Sequence, residues 1–169
     1  FSNRTANWSD AVKPESLLLL QSLQSCQQRI DKLKYSLNKN AASFPVSAQA
    51  LANWDEPREE SIDAFILRYS QCVTMIQEQL FKGIAYLEQE DISDKSNRDK
   101  TLLMEKLGAI RSAAEFGTAA MLRNKLAHHY PEVSQARLER LNLLPTEAQH
   151  VIDTFQLIER YVAQKKLLP

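Results

Sequence analysis

Side chains that could perform chemistry are concentrated in eight residues, from Arg123 to Tyr130. The segment holds an Arg, an Asn, two adjacent His and a Tyr, and Pro131 follows it. An imidazole exchanges protons near neutral pH and can act as a general base or acid. A guanidinium matches a phosphate and stabilises charge that develops on a phosphorane. These two groups suffice for metal-free cleavage of RNA through its own 2′-OH, which would leave a 2′,3′-cyclic phosphate and a 5′-OH, whereas DNA should resist.

The spacing of Arg123 and His128 limits how they could act together. They are five residues apart, which separates them by ~140° around an ideal helix. They share one face only if the helix loosens near Ala127, or the working site combines residues from two subunits. A two-fold dimer would double a site that has one Arg and one His per chain.

Ordinary structural roles are also open to these residues. Arg123 could form a surface salt bridge or support the C-terminus of its helix. His128 and His129 could cap that helix with their ring nitrogens, and Tyr130 could pack against the turn before Pro131.

Metal and phosphate-loop chemistry find little support in the sequence. Adjacent histidines diverge on a helix, and no second ligand pair with metal spacing accompanies them. His150, the third histidine, is predicted to be an ordinary exposed residue. The chain has only three glycines, too few and too scattered for a Walker loop or a dinucleotide-binding turn. We therefore expect no metal and no cofactor.

The charge of the chain argues against a polybasic protein. Its 169 residues contain 21 basic and 21 acidic side chains, so any contact with nucleic acid must be local. Between Arg123 and Arg140 there are four basic and two acidic residues. This mild excess predicts weak RNA contacts, which we assign to Lys125, His129 and Arg137.

Compartment and membrane signals are plain. The two cysteines, Cys26 and Cys72, lie inside helical patterns and are predicted to be buried or half-buried thiols in a reducing compartment. No apolar run approaches the ~20 residues that span a bilayer, and the N-terminus does not have the order of a signal peptide. We expect a soluble cytoplasmic protein without membrane contact.

Apolar spacing predicts an all-α protein, an antiparallel up-and-down bundle of four to six helices. A polar extension, residues 1–13, precedes one bundle domain, residues 14–169. The first helix starts at Pro14, and a second long helix covers about 59–90. Between them, a connector covers 41–60, with a short helical turn from Ser47 to Asn53 and with Trp54 as its anchor on the bundle.

The second half of the chain is predicted as shorter helices. One covers about 99–107 and ends at Gly108. Ser112 and Glu115 form a capping-box pair that starts a helix reaching about residue 127. A short helix covers 134–141, and a pair at Thr146 and Gln149, after Pro145, starts a last helix to about residue 166.

The motif and this architecture together resemble the HEPN domains. The pattern is Arg, four residues, His, one residue and Tyr, with Asn directly after the Arg. It is most similar to the HepT-type toxins that are paired with a minimal nucleotidyltransferase (MNT) antitoxin. The resemblance implies that Arg123 and His128 are the catalytic pair, that Asn124 supports the site, and that the antitoxin attaches AMP to Tyr130. It also implies a homodimer with a composite active site and RNA as substrate.

Two rival functions remain at this point. The same fold could serve as a non-catalytic partner of a nucleotidyltransferase that binds a nucleotide or substrate. It could also be a helical adaptor in a larger defence complex, with the motif a relic.

Overall fold

A computed structural model describes residues 12–128 and 134–169, and these form six α-helices and no strand. Three of them are α1 (Pro14–Asn40), α2 (Ala48–Ala52) and α3, a continuous helix made of Glu56–Met75, a π-helical turn Ile76–Leu80 and Phe81–Leu87. The others are α4 (Asn97–Leu107), α5 (Ala113–Leu126) and α6 (Gln135–Gln164). The prediction of an all-α helical bundle is confirmed.

The core lies between α1, α3, α5 and α6. α1 packs mainly along α3, and α5 packs mainly along α6. The predicted stripe of α1 is buried from Leu19 through Leu33, because apolar side chains at steps of three and four fall on one face. Within the described ranges, no helix is long and apolar enough to cross a membrane.

The connector after α1 is shorter than predicted. It ends at Asp55, whose carboxylate accepts a hydrogen bond from the backbone N–H of Arg58 and so caps α3. The predicted short turn is present as α2, and Trp54 is half-buried against a small apolar cluster. Asn142 of α6 exchanges two hydrogen bonds with the backbone of Val46, at 2.6 and 2.9 Å, and ties the connector to the bundle.

The boundaries around α4 and α5 follow the predicted capping residues closely. Helix α4 begins at Asn97, two residues before the predicted start, and the Ser96 hydroxyl caps it by accepting from the N–H of Asp99. Gly108 ends α4 in the left-handed region at φ 89°, a conformation that glycine adopts without steric cost. The Ser112 hydroxyl accepts from the N–H of Glu115, as the capping-box interpretation predicted.

The prediction of two helices after residue 134 was wrong. One helix, α6, covers both, with Pro145 in its interior. An internal proline costs a helix roughly 3 kcal/mol, but Leu141, Leu144 and Ala148 are buried on one continuous stripe. Burial along that stripe outweighs the lost backbone hydrogen bond. Thr146 is therefore an exposed residue inside a helix, and it caps nothing.

Candidate functional site

The candidate motif lies where α5 ends. The helix stops at Leu126, and the N–H of Ala127 bonds to the carbonyl of Arg123 at 3.2 Å. The N–H of His128 then bonds back only three residues, to Lys125, at 3.3 Å. This tightened turn is typical of a helix terminus, so the angular separation of an ideal helix does not apply to His128.

Arg123 and His128 line one cleft between α3, α5 and α6, with a volume of about 450 Å³. We call it the basic cleft. Its described lining residues are Asp63, Ile66, Leu67, Ser70, Arg123, Lys125, Leu126, Ala127, His128, Arg137, Arg140 and Leu141. Lys125 and Arg137, predicted as weak RNA contacts, are thus on the same cleft as the candidate catalytic pair, and Arg140 joins them.

The other predicted site residues are His129, Tyr130 and Asn124. His129 and Tyr130 lie outside the described residues. Asn124 is exposed and does not line the cleft, but its Oδ1 accepts a hydrogen bond from Nε of Arg123 at 3.3 Å. His128 is exposed at the cleft, where a ligand can reach its ring.

Three neutral acceptors hold the guanidinium of Arg123. Besides Asn124, its Nη1 donates to Oγ1 of Thr74 at 3.2 Å and to Oε1 of Gln77 at 3.1 Å. Arg123 is half-buried, and Gln77 is only 6% exposed. Hydroxyl and amide oxygens orient the guanidinium but do not neutralise it, so its positive charge remains available to a ligand in the cleft.

The sequence interpretation missed Thr74 and Gln77. Gln77 belongs to the π-helical turn Ile76–Leu80 of α3, and such turns occur often at functional sites. A sequence signal did exist, because Gln77 stands beside Ile76 within the apolar stripe of a long helix. A buried polar side chain needs a partner, and that partner is the Arg of the motif.

A second contact between α3 and α5 lies one turn before Arg123. The Tyr69 hydroxyl donates to the carbonyl of Ala119 at 2.6 Å. Burial raises the pKa of Tyr69 far above its ordinary value, the nearby Glu147 raises it further, and Arg123 lowers it. The phenol therefore stays protonated and keeps donating, which fixes α5 against α3 one turn before the motif.

His150 differs from the exposed residue that the sequence predicted. Its side chain is 35% exposed, with Nδ1 3.4 Å from the carboxylate of Glu147 and Nε2 3.8 Å from that of Glu115. It does not line the basic cleft. Over the described part of the chain, no group of three or more His, Cys, Asp or Glu side chains is placed to hold a metal ion.

The two cysteines lie on α1 and α3, and both are fully buried as free thiols. Burial raises the pKa of both Cys26 and Cys72 to about 12. A protonated thiol is a poor nucleophile, so the prediction of buried structural thiols is confirmed.

Comparisons of the chain with protein-family models, with curated proteins and with solved structures found no match.

Proposed function

We propose that this chain is a metal-independent endoribonuclease of the HEPN class and the toxin of a HEPN/MNT toxin–antitoxin pair. The observation that carries the proposal is the presence of Arg123 and His128 on one basic cleft. Both groups that the chemistry needs can reach a single ligand, although a regular helix would point them apart.

In the proposed reaction, the imidazole of His128 takes the proton of a ribose 2′-OH. The 2′-oxygen then attacks the adjacent phosphorus, and the bond from phosphorus to the 5′-oxygen breaks. Arg123 stabilises the charge on the phosphorane oxygens through its guanidinium. The leaving 5′-oxygen takes a proton from water, so the products are a 2′,3′-cyclic phosphate and a 5′-OH.

The remaining parts of the proposal come from the family resemblance. Two copies would face one another, so that each site combines the motifs of both protomers. Asn124, which bonds to Arg123, would keep the guanidinium oriented. An MNT antitoxin would silence the toxin by attaching AMP to Tyr130.

The direct test is incubation of purified protein with tRNA and total RNA in EDTA, followed by analysis of the product ends. We expect wild type to cut RNA and leave cyclic phosphates, and His128→Ala to lose this activity. The matched control is His150→Ala, which removes a histidine that does not line the cleft and should cut normally. Full activity of His128→Ala would refute the assignment.

Arg123 needs a more careful variant, because its bonds to Thr74 and Gln77 also hold α5 against α3. Arg123→Ala removes this support together with the charge. Arg123→Lys keeps a cation but loses the planar fork, and we expect it to stay folded and to cut RNA at least tenfold more slowly. Unfolding curves of each variant separate lost catalysis from lost structure.

The second candidate function is a non-catalytic module that binds a nucleotide for a nucleotidyltransferase. The anchoring of Arg123 by neutral side chains supports it, because a guanidinium that is oriented but not neutralised can bind a phosphate without cleaving it. Folded wild-type protein of unmodified intact mass that leaves RNA uncut would support this function over the ribonuclease.

A further inference from the structure

The basic cleft concentrates positive charge in a chain whose formal net charge is zero. Among the described lining residues, Arg123, Lys125, Arg137 and Arg140 are permanent cations, and Asp63 is the one carboxylate. A low-dielectric cleft lined mainly by one sign of charge attracts ligands of the opposite sign.

Two of these cations do not belong to the catalytic motif. Arg137 and Arg140 come from the first two turns of α6, whereas Arg123 and His128 come from the end of α5. Residues three apart lie on the same helix face, so both side chains reach the cleft together, and both are half-buried. Their guanidinium forks suit a phosphate group.

The rest of the wall is largely apolar. Ile66 and Leu67 of α3 face the cleft along with Leu126 and Leu141, and Leu67 is 56% exposed although it is a large aliphatic side chain. The volume of about 450 Å³ lies within the usual range for small-molecule sites, roughly 300–1,000 Å³. An inorganic anion would leave the apolar wall uncovered. An unstacked nucleotide fits both parts of the lining.

We propose that the basic cleft is a nucleotide subsite for single-stranded RNA. Arg137 and Arg140 hold a backbone phosphate next to the one that is cleaved, and Leu67 with Ile66 covers the attached base. The inference rests on the proposed ribonuclease function and adds to it the residues that select a flexible single strand.

The phosphate contacts are tested by binding alone. The probe is a fluorescein-labelled single-stranded 2′-O-methyl RNA, which lacks the nucleophile and stays intact, and the readout is anisotropy. We expect Arg137→Gln and Arg140→Gln each to weaken binding about tenfold or more. Each should also reduce the slope of log Kd against log salt by roughly 0.7.

Arg160→Gln is the matched control. Arg160 is exposed on the same helix, far from the cleft, and its loss changes the net charge equally. We expect the Kd of Arg160→Gln to stay within about twofold of wild type, because the lost charge is distant from the bound RNA and is screened by salt. Arg140→Lys, which keeps the charge, should show an intermediate loss and guards against misfolding of Arg140→Gln. The phosphate role is overturned if Arg137→Gln and Arg140→Gln bind like Arg160→Gln.

The base contact is tested separately. Leu67→Ser should weaken binding several-fold through the lost apolar contact, whereas Leu143→Ser should not. Leu143 is also exposed, at 49%, and lies outside the cleft. A nucleoside 5′-monophosphate should displace the probe at lower concentration than inorganic phosphate. Equal displacement by the two competitors would reduce the site to an anion site and overturn the base contact.

The two proposals fail in different ways. If wild type cuts RNA but the Arg137 and Arg140 variants bind like the control, the subsite is wrong and the ribonuclease stands. If RNA is never cut, yet the probe binds through Arg137, Arg140 and Leu67, the subsite stands and the cleavage assignment is wrong.

Discussion

The hydrogen bond between Gln77 and Arg123 offers a sharp test of how the candidate site is positioned. Gln77 is 6% exposed, and its Oε1 accepts from Nη1 of Arg123 at 3.1 Å. Gln77→Met keeps the length of the side chain but removes the acceptor. A hydrogen bond to a charged group contributes about 1.5–3 kcal/mol. Because Arg123 is half-buried and water can partly replace the amide, we expect the free energy of unfolding to fall by about 1–2 kcal/mol.

A double-mutant cycle isolates this contact from other effects of the substitution. Arg123→Met keeps much of the aliphatic stem and removes the guanidinium, and it is combined with Gln77→Met. Urea unfolding followed by circular dichroism gives the four free energies. We expect a coupling energy of about 1 kcal/mol, within the range for residues in one hydrogen-bond network.

The matched control for this cycle is Gln79→Met. Gln79 belongs to the same π-helical turn but is exposed, so its replacement should change stability by less than about 0.5 kcal/mol. If the effects of Gln77→Met and Arg123→Met are simply additive, the geometry that we describe does not orient the guanidinium, and the reasoning is refuted.

Three further predictions concern stability and chemistry. Gly117→Ala should stabilise the protein by about 0.5–1 kcal/mol, since the residue is exposed inside α5 and an added Cβ meets nothing within 4 Å. Gly108→Ala should destabilise it by about 1 kcal/mol, because the positive φ of 89° disfavours any residue with a Cβ. Urea unfolding of both variants checks these opposite signs. Folding raises the pKa of Cys26 and Cys72 from about 9 to about 12. The unfolded state therefore releases its thiol protons at lower pH, and the free energy of unfolding should decline as pH rises from 9 toward 12. Replacing both cysteines by Ala should reduce that decline, as measured by unfolding curves at several pH values. EDTA should leave RNA cleavage unchanged, and loss of cleavage that Mg²⁺ or Zn²⁺ restores would contradict the proposed chemistry.

Local signals predicted much of the fold correctly. Ser112, Gly108 and the apolar stripe of α1 each act through neighbours a few residues away, so their consequences could be derived from the sequence. Pro145 misled the prediction because its cost is local, whereas the gain that offsets it comes from packing of α6 against other helices. Helix propensity is readily overridden by such burial.

The candidate site was only partly predictable for the same reason. Arg123, Lys125, His128 and Arg137 could be selected by residue type and spacing, and all four line one cleft. Their neighbours from α3 could not, because Thr74 and Gln77 are separated from Arg123 by 49 and 46 residues. Only the packing of α3 against α5 brings them together.

The π-helical turn explains why α3 can serve both the core and the site. Before the turn the buried positions include Phe65, Tyr69 and Val73, and after it they include Phe81 and Ile84. At ~100° per residue of a regular α-helix, the buried positions after the turn are rotated about the helix axis by ~100° from those before it, which corresponds to one residue. A π-helical turn accommodates such a one-residue step within a continuous helix.

Gln77 lies inside the turn where the buried face changes. Because of this rotation the polar side chain of Gln77 is buried, whereas in a regular helix it would lie beside the apolar stripe. The Oε1 of Gln77 is satisfied by the guanidinium of Arg123, which is itself kept at the cleft. We infer that the irregularity of α3, and not the regularity of α5, determines the direction of the Arg of the motif.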